Sequence, residues 1–344
     1  MISESDLAII REKLSTSVRP LFFFDDDPDG VSSFLLFYKA VNEGKGICVK
    51  GKPILEKRYA DKVTEYSPDR VFVLDKPLIE QEFLDKISQE IIWLDHHPVQ
   101  DNKGVLYFNP RKRDDEDNRP TSYWAYLVTK DMVKNALWIA MVGIIGDWNL
   151  LLADEFRAQY PDLLPADIDT PEKALFETKI GKLVRIVDFN LKGATSEVMK
   201  SVKALTRIKD PNEILNQTTP RGKFIYKKYL TINKDYQQLL KEVEVTDDKI
   251  LIFRYENNKL ALSSQLSNEL LYLYPEKIII VVREKADDTM MSIRSSKYKI
   301  IDNLKKALES TTGYGGGHDH ACGASVKKSE FDIFLEKFRE TFNS

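Results

Sequence analysis

The chain has 344 residues, 42% of them hydrophobic and 31% charged, with a formal net charge of −3. These values suit a globular chain long enough for two domains, and they exclude a disordered polyelectrolyte or a polycation that coats nucleic acid indiscriminately. No apolar run approaches the roughly 20 residues that span a bilayer, no basic stretch precedes an apolar core at the N-terminus, and Cys48 and Cys322 stand far apart in dissimilar contexts, so a cytoplasmic protein without a membrane segment or disulfide framework is expected.

In chain order, residues 1–14 read as an amphipathic helix with acids near its start. Residues 21–24, 71–74, 91–94 and 105–108 are short apolar runs of strand length and β-favouring composition, and helix-like segments fill the gaps at 32–42 and 79–89. Continuous apolar strands separated by helices predict a doubly wound α/β domain, its sheet mainly parallel and buried on both faces. Longer helical stretches follow at 121–145 and 171–208. Proline, asparagine and glycine then interrupt the periodicity at 209–222, where the linker is placed. The expected division is a first domain with connecting helices over 1–208 and a smaller α/β domain over 209–344. The second has predicted strands at 250–255, 259–263, 278–282 and 290–294 and helices at 264–273, 302–309 and 329–342.

Three predicted strands run directly into an aspartate: Phe24 into Asp25, Leu74 into Asp75 and Leu94 into Asp95. In an open parallel sheet the carboxyl ends of neighbouring strands face one crevice, so these acids converge there. Each alone reads as a helix cap; together they repel one another unless a cation neutralises them. The first belongs to Asp25-Asp26-Asp27-Pro28-Asp29-Gly30, whose acids are packed too closely for the twelve-residue calcium loop. Gly30 permits a tight turn there, and Ser32-Ser33 are candidate caps for the helix that follows. The third belongs to Asp95-His96-His97-Pro98, and imidazole beside carboxylate suits borderline ions such as Mn²⁺. All four histidines of the chain fall in this motif or in Gly315-Gly316-Gly317-His318-Asp319-His320. That glycine run lets the backbone approach a ligand and present N–H groups to an anion. Asp147 ends a very apolar helical stretch. Arg111-Lys112-Arg113 reads either as a guide for a polyanion or as part of a solvated charged loop with the acids that follow it.

Taken in order, Asp25-x-Asp27-x-Asp29-Gly30, then Asp75, then Asp95-His96-His97, then Asp147 resemble the four motifs of the DHH phosphoesterases. Arg294 with Gly315-Gly316-Gly317-His318 resembles the DHH-associated C-terminal domain. The leading Asp25 is similar to the RecJ-type nucleases and their archaeal relatives. The oligoribonuclease and 3′-phosphoadenosine-phosphate phosphatase branch usually begins with histidine, although Pro28-Asp29 echoes it. The sequence shows no counterpart of the extra oligonucleotide-binding domain of bacterial RecJ.

The resemblance implies two Mn²⁺ or Mg²⁺ ions held by Asp25, Asp27, Asp75, His96 and Asp147, with Asp75 bridging. It implies Asp29 as a further ligand or an orienting acid, and Asp95 as the group that orients His96. With His97 these residues make the expected catalytic set. His97, Arg294, the amides of Gly315, Gly316 and Gly317, and His318 would hold the substrate phosphate; the planar fork of arginine suits a phosphate. The implied function is a metal-dependent exonuclease on single-stranded DNA or RNA. The alternatives are an enzyme for short oligonucleotides or small nucleotide phosphates, and a non-catalytic replication or repair scaffold. The intact acid set argues against the scaffold, which has no need of such a repulsive cluster.

Overall fold

A computed structural model of the chain describes residues 1–256, 260–285 and 287–342. The chain forms two compact units, Met1–Leu230 and Thr231–Ser344; the segment 209–222, read from sequence as the linker, lies ahead of that division.

The first unit opens with α1 (Glu4–Ser15), whose start is fixed by a reciprocal cap between Ser3 and Asp6. There follow β1 (Leu21–Asp25), α2 (Pro28–Val41), β2 (Lys45–Val49), β3 (Ile54–Leu55), α3 (Ala60–Tyr66), β4 (Arg70–Leu74), β5 (Leu78–Ile79), α4 (Gln81–Lys86), β6 (Glu90–Leu94) and β7 (Leu106–Phe108). Five strands form one wholly parallel sheet in the order β2-β1-β4-β6-β7, and β3 pairs separately with β5. The sheet is buried on both faces, as its apolar runs require. Leu21, Phe23, Val71, Val73 and Trp93 pack with Ala60, Val63 and Phe83 of α3 and α4. The alternate residues Phe22 and Phe24 turn the other way and stack with Phe72 and with Phe34 of α2. This is the doubly wound arrangement expected from the sequence.

A helical region completes the unit: α5 (Thr121–Thr129), α6 (Leu137–Gly146), α7 (Ala153–Gln159), α8 (Pro171–Glu177), α9 (Lys179–Asn190), α10 (Thr195–Leu205) and α11 (Asn212–Leu215), before α12 (Pro220–Lys241). The helix expected over 121–145 is two helices, because the polar segment between them carries Asn135 in the left-handed region (φ 54°). The stretch 171–208 is likewise three helices, broken at Thr178, which caps α9, and at Gly193 (φ 93°). Strand β2 was not expected: Lys45-Gly46-Ile47-Cys48-Val49 is a half-buried edge strand whose apolar run is only three residues long.

The second unit carries β8 (Ile250–Glu256), α13 (Ser263–Leu273), β9 (Ile278–Lys285), β10 (Asp288–Arg294), α14 (Ile301–Leu308), β11 (Gly313–His318), β12 (Ala321–Lys327) and α15 (Phe331–Glu340). Its sheet runs β11-β12-β10-β9-β8, antiparallel except for the β8–β9 pair. One face packs on α14 and α15 through Ile280, Met291, Ile293, Val326, Leu304 and Phe334. Of the strand expected over 259–263, Lys259 lies outside the described residues, 260–262 are not strand, and Ser263 begins α13, whose buried Leu266 and Leu270 recur at helical spacing.

Candidate metal centre

Strand β1 has β2 on one side and β4 on the other, so the order of the sheet reverses at β1. Chains leaving the carboxyl ends at such a point part in opposite directions and open a crevice. Asp25 is the last residue of β1, Asp75 follows β4 and Asp95 follows β6, so the three strand-end acids sit at that level of the sheet.

The loop after β1 turns tightly into α2. Asp27 caps that helix by accepting the Gly30 N–H at 2.8 Å. Gly30 lies against the end of β1, where an added Cβ would stand 2.7 Å from the Asp25 nitrogen. Ser32 and Ser33, expected as caps, lie inside α2 and are fully buried; the helix starts at Pro28, four residues ahead of the segment 32–42 read from the sequence. Asp29 reaches across to the next helical element. Its two carboxylate oxygens accept the Thr121 and Ser122 N–H groups, each at 2.8 Å, and so bind the start of α5.

Asp75 continues the ladder for one more bond, its N–H donating to the Leu94 carbonyl at 2.9 Å, and then turns into the left-handed region with φ 59°. Its carboxylate is buried and accepts the Thr121 hydroxyl at 3.0 Å. The following residue, Lys76, is fully buried, an uncommon place for a lysine. Its ammonium donates to Asp25 Oδ1 at 3.0 Å and to the Lys52 carbonyl at 2.8 Å.

His96 stands at the focus of the acids. Its Nε2 lies 3.5 Å from Asp75 Oδ1, 3.7 Å from Asp147 Oδ2 and 4.0 Å from Asp29 Oδ2. Its Nδ1 lies 3.2 Å from the Asn118 carbonyl. A carbonyl only accepts, so Nδ1 is the donor there and Nε2 is the ring nitrogen that faces the carboxylates. Asp95 was expected to orient His96. The structure gives it His97 instead: Asp95 accepts the His97 ring nitrogen at 2.7 Å and its backbone N–H at 3.1 Å, with Tyr107 and Asn109 also donating to it. Asp95 is wholly buried, and these four donors account for its place there.

The electrostatics follow from this crowding. Burial, then Asp27, push the Asp25 carboxyl up to about 7, against the pull of Lys76. Burial, then Asp29, raise Asp27. Burial, then the neighbouring acids, raise Asp75 and Asp147 well above the usual carboxylate range. One buried lysine does not balance such a set, and a divalent cation would. The donors fit one: carboxylate oxygens with a single bare imidazole nitrogen suit Mn²⁺ or Mg²⁺. Asp75, His96 and His97, and separately Asp29, His96 and Asp147, each offer ligand atoms within 4.8 Å of one another. Lys76, Thr121, Asn109 and Asn118 were not singled out from the sequence, because a lysine or an amide beside a strand end carries no local mark of burial.

Of Arg111-Lys112-Arg113, two residues are engaged locally: Lys112 donates to the Tyr107 carbonyl and Arg113 pairs with Asp6 at 3.0 Å.

In the second unit, Arg294, Ala321 and His318 lie in one row across β10, β12 and β11, and directly opposed residues share a face. Gly316 and Gly323 oppose each other on that same face. The guanidinium of Arg294 is held by the Asn268 side chain, the Ser264 hydroxyl and the Ile293 and Cys322 carbonyls. Burial lowers it to about 10. His318 is exposed. The three glycines differ in kind. A Cβ on Gly315 would meet Ala324 at 2.9 Å, and one on Gly317 (φ 143°) would meet the Ala321 carbonyl oxygen at 2.3 Å. A Cβ on Gly316 would meet nothing within 4 Å.

Residues 247–344 match the family model of the DHHA1 domain, and no curated protein sequence matches the chain. Among solved structures, RecJ from Thermus thermophilus in complex with Mn²⁺ is 16% identical with a TM-score of 0.70. The match covers 98% of this chain and 54% of that one, so this chain spans about half of its length. The same protein has also been solved with Mg²⁺. An exonuclease RecJ bound to manganese is 14% identical with a TM-score of 0.58, covering 98% of this chain and 94% of that one. A pGpG-specific phosphodiesterase from Vibrio is 13% identical with a TM-score of 0.53, covering 94% and 99%. At these identities the likeness is one of fold. The chain therefore shares the mixed α/β fold of these RecJ structures, and its residues 247–344 match the DHHA1 domain.

Proposed function

We propose that this chain hydrolyses phosphodiester bonds in single-stranded nucleic acid with the help of two divalent ions, Mn²⁺ or Mg²⁺. The observation that carries the reading is His96, with Nδ1 engaged by a carbonyl and Nε2 turned toward Asp75, Asp147 and Asp29. Asp25, Asp27, Asp75, His96 and Asp147 would hold the ions. Asp29, both of whose oxygens bind α5, would orient Asp75 through the shared Thr121. Bound there, such ions supply a nucleophile at neutral pH and stabilise charge on the attacking and leaving oxygens.

The chain's own groups would do the rest. Asp95 accepts from the His97 ring at Nδ1, which leaves Nε2 to take up a proton and, as imidazolium, to donate to a phosphate oxygen. Lys76 keeps the Asp25 carboxylate in place. On the second unit, Gly316 and Gly323 form a strip free of side chains beside His318 and Arg294, where a phosphate could approach the backbone; Gly315 and Gly317 would serve that strip by keeping β11 packed.

A second reading, an enzyme for dinucleotides and short oligonucleotides, is favoured by the pGpG-specific phosphodiesterase, which matches over nearly the full length of both chains. Turnover with Mn²⁺ on labelled DNA and RNA strands from two nucleotides upward separates the readings. The first expects efficiency to rise with length, the second to be greatest at two or three nucleotides. Absence of hydrolysis at every length, with metal bound, would refute both.

A further inference from the structure

The first unit holds a pocket of about 810 Å³ beside the edge strand β2, outside the acidic crevice. This is within the roughly 300–1,000 Å³ of small-ligand sites. Lys45, Lys50, Arg58, Lys62 and Lys203 line it, and no acidic side chain does. In a chain of net charge −3, five cations converging on one concavity mark a place for a polyanion. Lys62 pairs with Glu65 at 2.7 Å with both side chains exposed, a contact weak enough to exchange for a phosphate. Arg58, itself exposed, pairs at 2.7 Å with Glu56, which is mostly buried. Lys50 donates to the Leu191 and Gly193 carbonyls.

Two further observations say what kind of polyanion. Tyr38 and Tyr59, both partly exposed, also line the pocket, with the Arg58 guanidinium 5.3 Å from the centre of the Tyr59 ring, and aromatic rings among cations are how single strands are held without sequence preference. The wall itself is a free strand edge: among the described residues no strand pairs with β2 on this side. The Lys45 N–H bonds the Pro20 carbonyl, so by the alternation of a ladder Gly46 and Cys48 turn their backbone N–H and C=O groups outward, where a base edge can use them.

The pocket also borders the crevice. Val49 is in register with Asp25, the next residue is Lys50, and Lys50 feels the charge of Asp26.

We infer that this pocket takes the nucleotides of a single strand that lie beyond the cut, gripping phosphates with Lys62, Lys203 and their neighbours while bases rest on the tyrosines. The inference rests on the proposed hydrolysis of nucleic acid and makes strand length, not the scissile phosphate, the quantity that the pocket reads.

The test uses the full chain and the variant Lys62→Glu/Lys203→Glu, in which neither substituted side chain touches the crevice and both are exposed. Anisotropy of a labelled single strand of about twelve nucleotides should show binding weakened about tenfold or more. The slope of log K against log salt should fall by about 1.4, the loss expected for two phosphate contacts on a single strand. With Mn²⁺, KM for that strand should rise by a similar factor, while kcat and turnover of a dinucleotide stay as in the unaltered chain. Melting temperatures establish that both proteins are folded; a misfolded double variant is replaced by the single Lys203→Gln, read by the salt slope alone. Unaltered strand binding by the variant overturns the inference, as does no binding by the original chain. Equal loss on dinucleotide and long strand places these lysines at the cut and overturns it too. If a mononucleotide competes as well as the strand does, the pocket is a free-nucleotide site and the inference is wrong. Strand binding that depends on the lysines without any hydrolysis sinks the proposed activity and leaves the pocket standing.

Discussion

Asp75 concentrates the logic of the crevice in one residue. Its left-handed backbone, its burial and the Thr121 hydroxyl all hold the carboxylate in one place, and its neighbours make it repulsive there. This decides which substitution is informative. Alanine would lose the hydrogen bond and sit poorly at positive φ, so its effect on folding would obscure its effect on chemistry. Asparagine tolerates that backbone and keeps the acceptor. Asp75→Asn should lower the rate a thousandfold or more, about 4 kcal/mol of transition-state stabilisation, and in chelator it should melt above the unaltered chain because one of several crowded charges is gone. A lower melting temperature in chelator would show that the carboxylate is structural. The neighbouring motif divides its labour more finely than its three letters suggest. Asp95 serves His97, and a backbone carbonyl serves His96, so Asp95→Asn should disturb substrate handling more than metal affinity. Metal titration of that variant is the measurement; an affinity loss as large as that of His96→Ala would contradict the division.

At the scale of elements, β11 shows how one composition meets two demands. Gly315 faces α14 and Gly317, near the end of β11, stands against the Ala321 and Cys322 backbone of β12, and each is glycine because a side chain has no room. Gly316 has room, so packing does not account for it. Gly316→Ala should therefore keep the melting temperature within about 1 kcal/mol of stability while weakening substrate binding several-fold. Gly317→Ala should lower the melting temperature markedly through strain at positive φ. Unchanged substrate binding by Gly316→Ala would show that nothing approaches the backbone there. The helices make the complementary point. Apolar periodicity runs through 121–145, yet the chain breaks at Asn135 and starts again, and the break lets α5 begin at Asp29 while α6 ends at Asp147.

At the scale of the whole molecule, the acidic crevice couples stability to pH and to metal. Aspartates of the unfolded chain titrate near 3.9, whereas the folded Asp25 is pushed up to about 7 and Asp27, Asp75 and Asp147 are raised as well. Between those values the folded chain binds more protons than the unfolded one, so its stability falls as pH rises. In chelator the melting temperature should climb as pH is lowered from about 8 toward 6. Saturating Mn²⁺ should raise it at pH 8 and flatten the dependence, by about 2.7 kcal/mol at a hundredfold excess over the dissociation constant. Elemental analysis should then find close to two ions per chain. A melting temperature that falls with acidification in chelator would mean that these carboxylates are stabilised in the ionised form by groups other than a metal.

The sequence by itself determined the alternation of strands and helices, the parallel sheet and the acids at three strand ends, because strand burial and strand-end chemistry are written in consecutive residues. The tertiary structure alone decided which acid serves which histidine, that Lys76 is buried against Asp25, and that Asp29 binds α5. The last two join residues tens of positions apart, and no local pattern carries a contact over that distance. The edge strand β2 escaped the sequence for the opposite reason. It lies at the sheet edge beside the basic pocket, its apolar run is only Ile47-Cys48-Val49 between lysines and glycine, and only the pairing with β1 makes it a strand.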